Sequence, residues 1–144
     1  MKQVDIYTDG ACSGNPGKGG WCAILMCDGR EKIISGGEAE TTNNRMEVTA
    51  AVRGLSALKA RCEVRLFSDS AYLVNAVESG WLDGWRKNGW RTADGKQVKN
   101  KDLWLDISRL IGEYPVTFVK VKGHSDNENN NRCDKIARAE IAKL

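Results

Sequence analysis

The chain has 144 residues, 41% of them hydrophobic and 28% charged, with a formal net charge of +3. That length fits one domain spanning residues 1–144 with a core of its own, and the composition excludes disordered and fibrous classes. The longest apolar run, Trp21 to Cys27, is too short for a bilayer, so a cytoplasmic protein with no membrane partner is expected.

In chain order, the first signal is Ile6-Tyr7-Thr8-Asp9-Gly10-Ala11, an apolar alternation that reads as a strand ending at a carboxylate. Gly10 would let the backbone turn there, or let another molecule approach. Gly14-Asn15-Pro16-Gly17 has turn chemistry, with Pro fixing φ and glycine supplying the position where φ is positive. Gly20 to Cys27 reads as a second strand, and Asp28-Gly29 as a hairpin turn into a third near Glu31 to Glu38. A phosphate-binding P-loop is excluded by spacing, because Cys12 stands where its first glycine belongs and Gly19 where its Ser or Thr belongs.

Thr42 caps a predicted helix running to about Lys59, on which Val48, Ala51, Val52, Leu55 and Leu58 recur at helical spacing. Glu47 sits about 100° from Val48, at the border of the apolar stripe. A carboxylate there either faces a cleft or complements the helix dipole. Val64 to Ser68 repeats the first pattern, a strand that stops at Asp69, and Ala71 to Glu78 follows as a helix. A strand, helix and strand in this order imply parallel pairing with the first strand. Two strands ending in aspartate then bring like charges to one sheet edge.

Trp81 to Trp104 holds four of the five tryptophans, interleaved with basic residues. From Arg86 to Lys101 six basic residues face only Asp94, a local +5 on a body of about −2. That is an electrostatic footprint for a polyanion. Trp81, Trp85 and Trp90 either build a small satellite core or pack on sugar and base, with Lys87, Arg91, Lys96 and Lys99 holding phosphates. Leu103 to Ile111 reads as a helix and Val116 to Val121 as a strand. The polar stretch His124 to Asn131 reads as a mobile loop carrying the one histidine, and it lacks the glycine and closing glutamate of an EF-hand. A last helix, Arg132 to Leu144, puts Asp134 beside a stripe of Cys133, Ala137 and Ile141. The five cysteines form no C-x-x-C pair, which points to reduced structural thiols.

Asp9, Glu47, Asp69 and Asp134 thus come from two strand ends and two helix borders. If they converge, an oxygen-only site of this charge selects a hard cation such as Mg²⁺ or Mn²⁺. Two such ions roughly 4 Å apart suit in-line displacement at phosphorus, the chemistry of a nuclease.

The chain resembles the type 1 ribonuclease H family over essentially its full length. The motifs that carry the resemblance are Tyr7-Thr8-Asp9-Gly10, Gly14-Asn15-Pro16-Gly17, Thr42-Asn43-Asn44-Arg45-Met46-Glu47, Ser68-Asp69-Ser70, Val121-Lys122-Gly123-His124 and Asn131-Arg132-Cys133-Asp134. The resemblance implies an α/β fold with a five-stranded mixed sheet, three strands antiparallel and two parallel, flanked by helices. It implies Mg²⁺-dependent cleavage of the RNA strand of RNA/DNA hybrids, with 5′-phosphate and 3′-hydroxyl ends, little sequence preference, two Mg²⁺ ions bound with substrate and Mn²⁺ able to stand in. Asp9 would bridge both metals, Glu47 and Asp69 would complete one site and Asp134 the other, while His124 would relay a proton. Asn15, Asn43 and Asn44 would contact nucleotides, Thr42 a DNA-strand phosphate, and Trp81, Trp85, Lys87, Trp90, Arg91, Lys96 and Lys99 would form a basic handle over the DNA strand. A monomer without an obligate protein partner is expected. Two other classes stay open on sequence alone: a non-catalytic hybrid-binding module, and a DNA-processing relative such as an integrase-like or resolvase-like enzyme.

Overall fold

The computed structural model describes residues 1–123 and 127–144. Five strands form one mixed sheet: β1 (Lys2–Gly14), β2 (Gly17–Cys27), β3 (Arg30–Thr41), β4 (Cys62–Ser68) and β5 (Val116–Lys120), in the order β3-β2-β1-β4-β5. The pairs β1–β2 and β2–β3 are antiparallel, β1–β4 and β4–β5 parallel. The helices are α1 (Asn43–Ser56), α2 (Ala71–Glu78), α3 (Trp81–Lys87), α4 (Lys101–Glu113) and α5 (Glu128–Ala142). The expected α/β architecture is the one observed. No helix among the described residues is long and apolar enough to cross a membrane.

Alternation along the strands sorts side chains to two faces. Ile6 and Ala23 point toward α1, where Gly54 lets the helix sit against their side chains. Cys22 and Ile24 point the other way and pack with Cys133 and Ala137 of α5. Leu103, Trp104, Ile107 and Leu110 of α4 close the larger core on the α1 side.

Several boundaries differ from the sequence reading. β1 does not stop at Asp9 but runs to Gly14, because β2 continues to pair with it from Asp5↔Met26 to Gly14↔Gly17. At the hairpin, Asn15 and the cis-linked Pro16 make the turn, and the glycine that supplies the positive φ is Gly14 (φ 83°). Asp28 (φ 52°) and Gly29 (φ 76°) form the predicted two-residue hairpin. α1 ends at Ser56 rather than Lys59, with the Ala57 N–H closing its last turn on the Arg53 carbonyl. The largest difference is α5, which starts at Glu128 rather than Arg132. Asn127 caps it by accepting the Asn130 N–H (3.1 Å), so the asparagines read as loop are its first turn.

Candidate active site

Asp9 lies in β1, only 7% exposed, and Glu47 in α1, 4% exposed. Asp69 follows β4 directly and opens toward solvent. Each of the three offers a carboxylate oxygen, and those oxygens lie within 4.8 Å of one another. Gly10 sets how closely the elements approach: a Cβ on it would overlap the Met46 carbonyl carbon and the Glu47 nitrogen. Its N–H donates to Glu47 Oε1. Gly123 also packs tightly, and a Cβ there would stand 3.1 Å from Asp69 Oδ2.

Asp134 is not one of the three whose oxygens lie within 4.8 Å of one another, yet its charge acts on Asp9. It lines the same cavity of about 730 Å³, but from α5, and it accepts from Arg138 Nε at 3.2 Å. The sequence reading expected the four acids to converge at one edge of the sheet; three of them offer oxygens within 4.8 Å of one another, and the fourth lines the same cavity, paired with an arginine one turn along. His124 falls outside the described residues.

The trio is electrostatically uncomfortable without a cation. Burial, reinforced by the charges of Asp69 and Asp134, pushes the Asp9 carboxyl up to about 7, although hydrogen bonds from Glu47 and the Gly10 amide pull it back. Burial first, and the Asp9 charge second, raises Glu47 well above the usual carboxylate range. Like charges in a desolvated site resist ionising together, which favours the protonated form of both Glu47 and Asp9. A divalent cation would remove the cause of both shifts, and an oxygen-only donor set fits Mg²⁺ or Mn²⁺ rather than a softer metal.

Around the acids, the helix start is ordered by side chains. Thr42 caps α1 by accepting the Arg45 N–H (3.2 Å), and Asn15 Oδ1 accepts the Asn43 N–H (3.2 Å). Asn43 and Asn44 are exposed and line the cavity. The tryptophan and lysine segment lies away from it, on α3 and the turn that follows. Trp85 and Trp90 pack partly buried against the main core, Trp85 with its ring 5.5 Å from buried Trp104. Trp81 stays 44% exposed, 6.5 Å from Trp85. Lys87, Arg91, Lys96 and Lys99 are exposed. Arg91 bends back to the Gly95 carbonyl (2.9 Å), across a turn tied by the Thr92 hydroxyl to Asp94. Trp85 and Trp90 thus take the satellite-core role at the root of the protrusion, while Trp81 keeps an open face.

The family model for RNase H matches residues 1–142. The chain belongs to the ribonuclease H family. Its relatives include the ribonuclease H of Chlorobaculum parvum, 62% identical over 140 residues that cover 97% of this chain and 96% of that one. The ribonuclease H of Acetivibrio thermocellus is 58% identical over 143 residues, covering 99% and 97%. Among solved structures, LC9-RNase H1, a type 1 RNase H with the type 2 active-site motif, superposes with a TM-score of 0.85 at 25% identity, covering 99% of this chain and 74% of that one. LC11-RNase H1, solved in complex with an RNA/DNA hybrid, gives 0.73 at 25% identity, covering 97% of each chain.

Two residues of this ribonuclease H chain escaped the sequence reading. Arg138 reaches Asp134 from one turn along α5, a spacing that i,i+4 pairing could have flagged. Asn130 projects between strands from the first turn of α5, in a stretch whose composition read as loop.

Proposed function

We propose that this chain is a divalent-metal-dependent endoribonuclease that hydrolyses the RNA strand of RNA/DNA hybrids, leaving 5′-phosphate and 3′-hydroxyl ends. The observation that carries the reading is the convergence of Asp9, Glu47 and Asp69, with two of the three carboxyls pushed toward the protonated form. Family membership and the hybrid bound to the LC11 relative support the substrate class.

Asp9, Glu47 and Asp69 would hold Mg²⁺, or Mn²⁺ in its place, with Asp134 serving a second ion. When bound, such ions supply Lewis-acid chemistry: activation of water as a nucleophile and relief of charge on the oxygen leaving phosphorus. The chain's own groups do the rest. Asn43 and Asn44, at the start of α1, present amides that can read the 2′-hydroxyl distinguishing RNA from DNA, with Asn15 fixing the Asn43 backbone. Thr42 and the helix N-terminus suit a DNA-strand phosphate. Lys87, Lys96 and Lys99, with Arg91 and the open face of Trp81, form the handle for that strand, so binding draws on phosphates and tolerates many sequences. His124 would take up or relay a proton. The enzyme acts as a cytoplasmic monomer built of one catalytic unit, residues 1–144.

The test is a panel of end-labelled RNA/DNA hybrid, duplex DNA and duplex RNA, each with Mg²⁺ and with chelator. The proposal expects hybrid cleavage confined to the RNA strand and abolished by chelator. Preferential cutting of duplex DNA, or hybrid binding without turnover in either metal, would refute it.

A further inference from the structure

β1 and β4 pair in parallel from Lys2↔Cys62 to Tyr7↔Phe67, and their pairing stops there. Asp9 and Asp69 each stand two residues beyond that last pair, so the distance between them depends on how the strands part. Into this fork projects the side chain of Asn130. Its amide nitrogen donates to the carbonyl of Thr8 on one strand (3.3 Å) and to that of Phe67 on the other (3.3 Å). The Thr8 hydroxyl adds a second tie to the Phe67 carbonyl (3.3 Å).

The amide is not placed there for its own satisfaction. Both partners are acceptors, so the nitrogen must face them, and Asn130 Oδ1 is left buried with no partner among the described residues. Burying an unpaired acceptor costs stability, which makes the two donated bonds the feature this position delivers. Asn130 also lies four residues before Asp134 and therefore on the same face of α5, one turn earlier. Cys133 fastens the intervening turn through its thiol to the Tyr7 carbonyl (3.1 Å).

We infer that Asn130 is a positioning residue that sets the mutual placement of Asp9, Asp69 and Asp134 by clamping the fork between β1 and β4 to the first turn of α5. The inference rests on the reading of these acids as the metal-holding set. It assigns Asn130 no contact with substrate. Its loss should therefore loosen the acids' grip on a cation and lower turnover while leaving affinity for the hybrid nearly unchanged.

The experiment compares Asn130→Leu, which keeps the shape and removes the donors, and Asn130→Ala with the unaltered chain. Glu31→Ala serves as control, because it releases α5 at a different anchor, the Arg132–Glu31 pair (2.7 Å), without touching the fork. Each protein is titrated calorimetrically with Mn²⁺ alone, melted without metal, and assayed for kcat and KM on hybrid. Both Asn130 variants are expected to bind Mn²⁺ about 10- to 100-fold more weakly, the range for residues that orient metal ligands. Their kcat should fall by a similar factor with KM nearly unchanged, whereas Glu31→Ala should lower Tm and leave Mn²⁺ affinity intact. If the Leu variant does not fold, the Ala variant, whose side chain suits a helix, decides the matter. Unchanged Mn²⁺ affinity in a folded Asn130 variant, or an equal loss in Glu31→Ala, overturns the clamp. Failure of the hybrid-cleavage reading would appear separately, as an unaltered chain that does not cut hybrid, and the Mn²⁺ comparison would still decide for or against Asn130.

Discussion

The N–H of Gly10 donates to the carboxyl of Glu47, joining the middle of β1 to the second turn of α1 across 37 residues of sequence. The bond exists because glycine leaves no Cβ between strand and helix. Gly10→Ala should force α1 off the sheet, lowering stability by about 1–3 kcal/mol through overpacking. Urea unfolding would read that loss, and the same variant should lose activity, since Glu47 moves with the helix. Unchanged stability would mean that the contact relaxes without cost.

The raised Asp9 carboxyl gives a pH dependence of definite sign. Unfolded, this group titrates near 3.8; folded and metal-free, near 7. Between those values the folded state binds more protons than the unfolded one, so stability falls as pH rises. The contribution is fully present below about pH 4 and is lost through pH 7, on the order of 2–4 kcal/mol. Asp9→Asn should therefore flatten the metal-free Tm–pH curve and raise Tm at pH 8, while abolishing cleavage. A variant melting below the unaltered chain at pH 8 would contradict the assigned strain.

The root of the protrusion hangs on Tyr72. Its hydroxyl accepts from Trp104 Nε1 (3.1 Å) and from the Asn100 amide (3.3 Å), and Asn100 in turn accepts from Arg45, which also clasps Asp102. Tyr72→Phe strands a fully buried indole N–H, and thermal melts should show a loss of about 1–2 kcal/mol. An unchanged melt would show that the indole finds another partner.

Lys87, Lys96 and Lys99 are exposed, and their side chains make no hydrogen bond or ion pair among the described residues. Replacing all three with Ala should leave Tm unchanged yet weaken hybrid binding across sequences. The slope of log affinity against log salt should drop by about 1 for each lysine on a phosphate. An unaltered slope removes the handle from the binding surface.

Much of this was legible in the chain because it follows from local pattern. Alternation in β1 and β4 exposed Asp9 and Asp69 at equivalent places, and the 3.6-residue stripe of α1 put Glu47 at its edge. What stayed hidden depends on tertiary contact. Nothing in the composition of Asp126 to Asn131 separates loop from helix, because asparagine serves both as cap and as turn residue. The value of Asn130 lies in two main-chain carbonyls 122 and 63 residues away, which leave no periodic trace. The end of β1 was misplaced for a similar reason: β2, not the sequence of β1, extends the strand past Asp9.

The central claim is that Asp9, Glu47 and Asp69 are crowded for the sake of a divalent cation. Crystals soaked in Mn²⁺ and measured for anomalous scattering test it most directly. The account predicts a peak within coordination distance of oxygens from all three residues; a site without signal, or Mn²⁺ bound only elsewhere on the molecule, would contradict it.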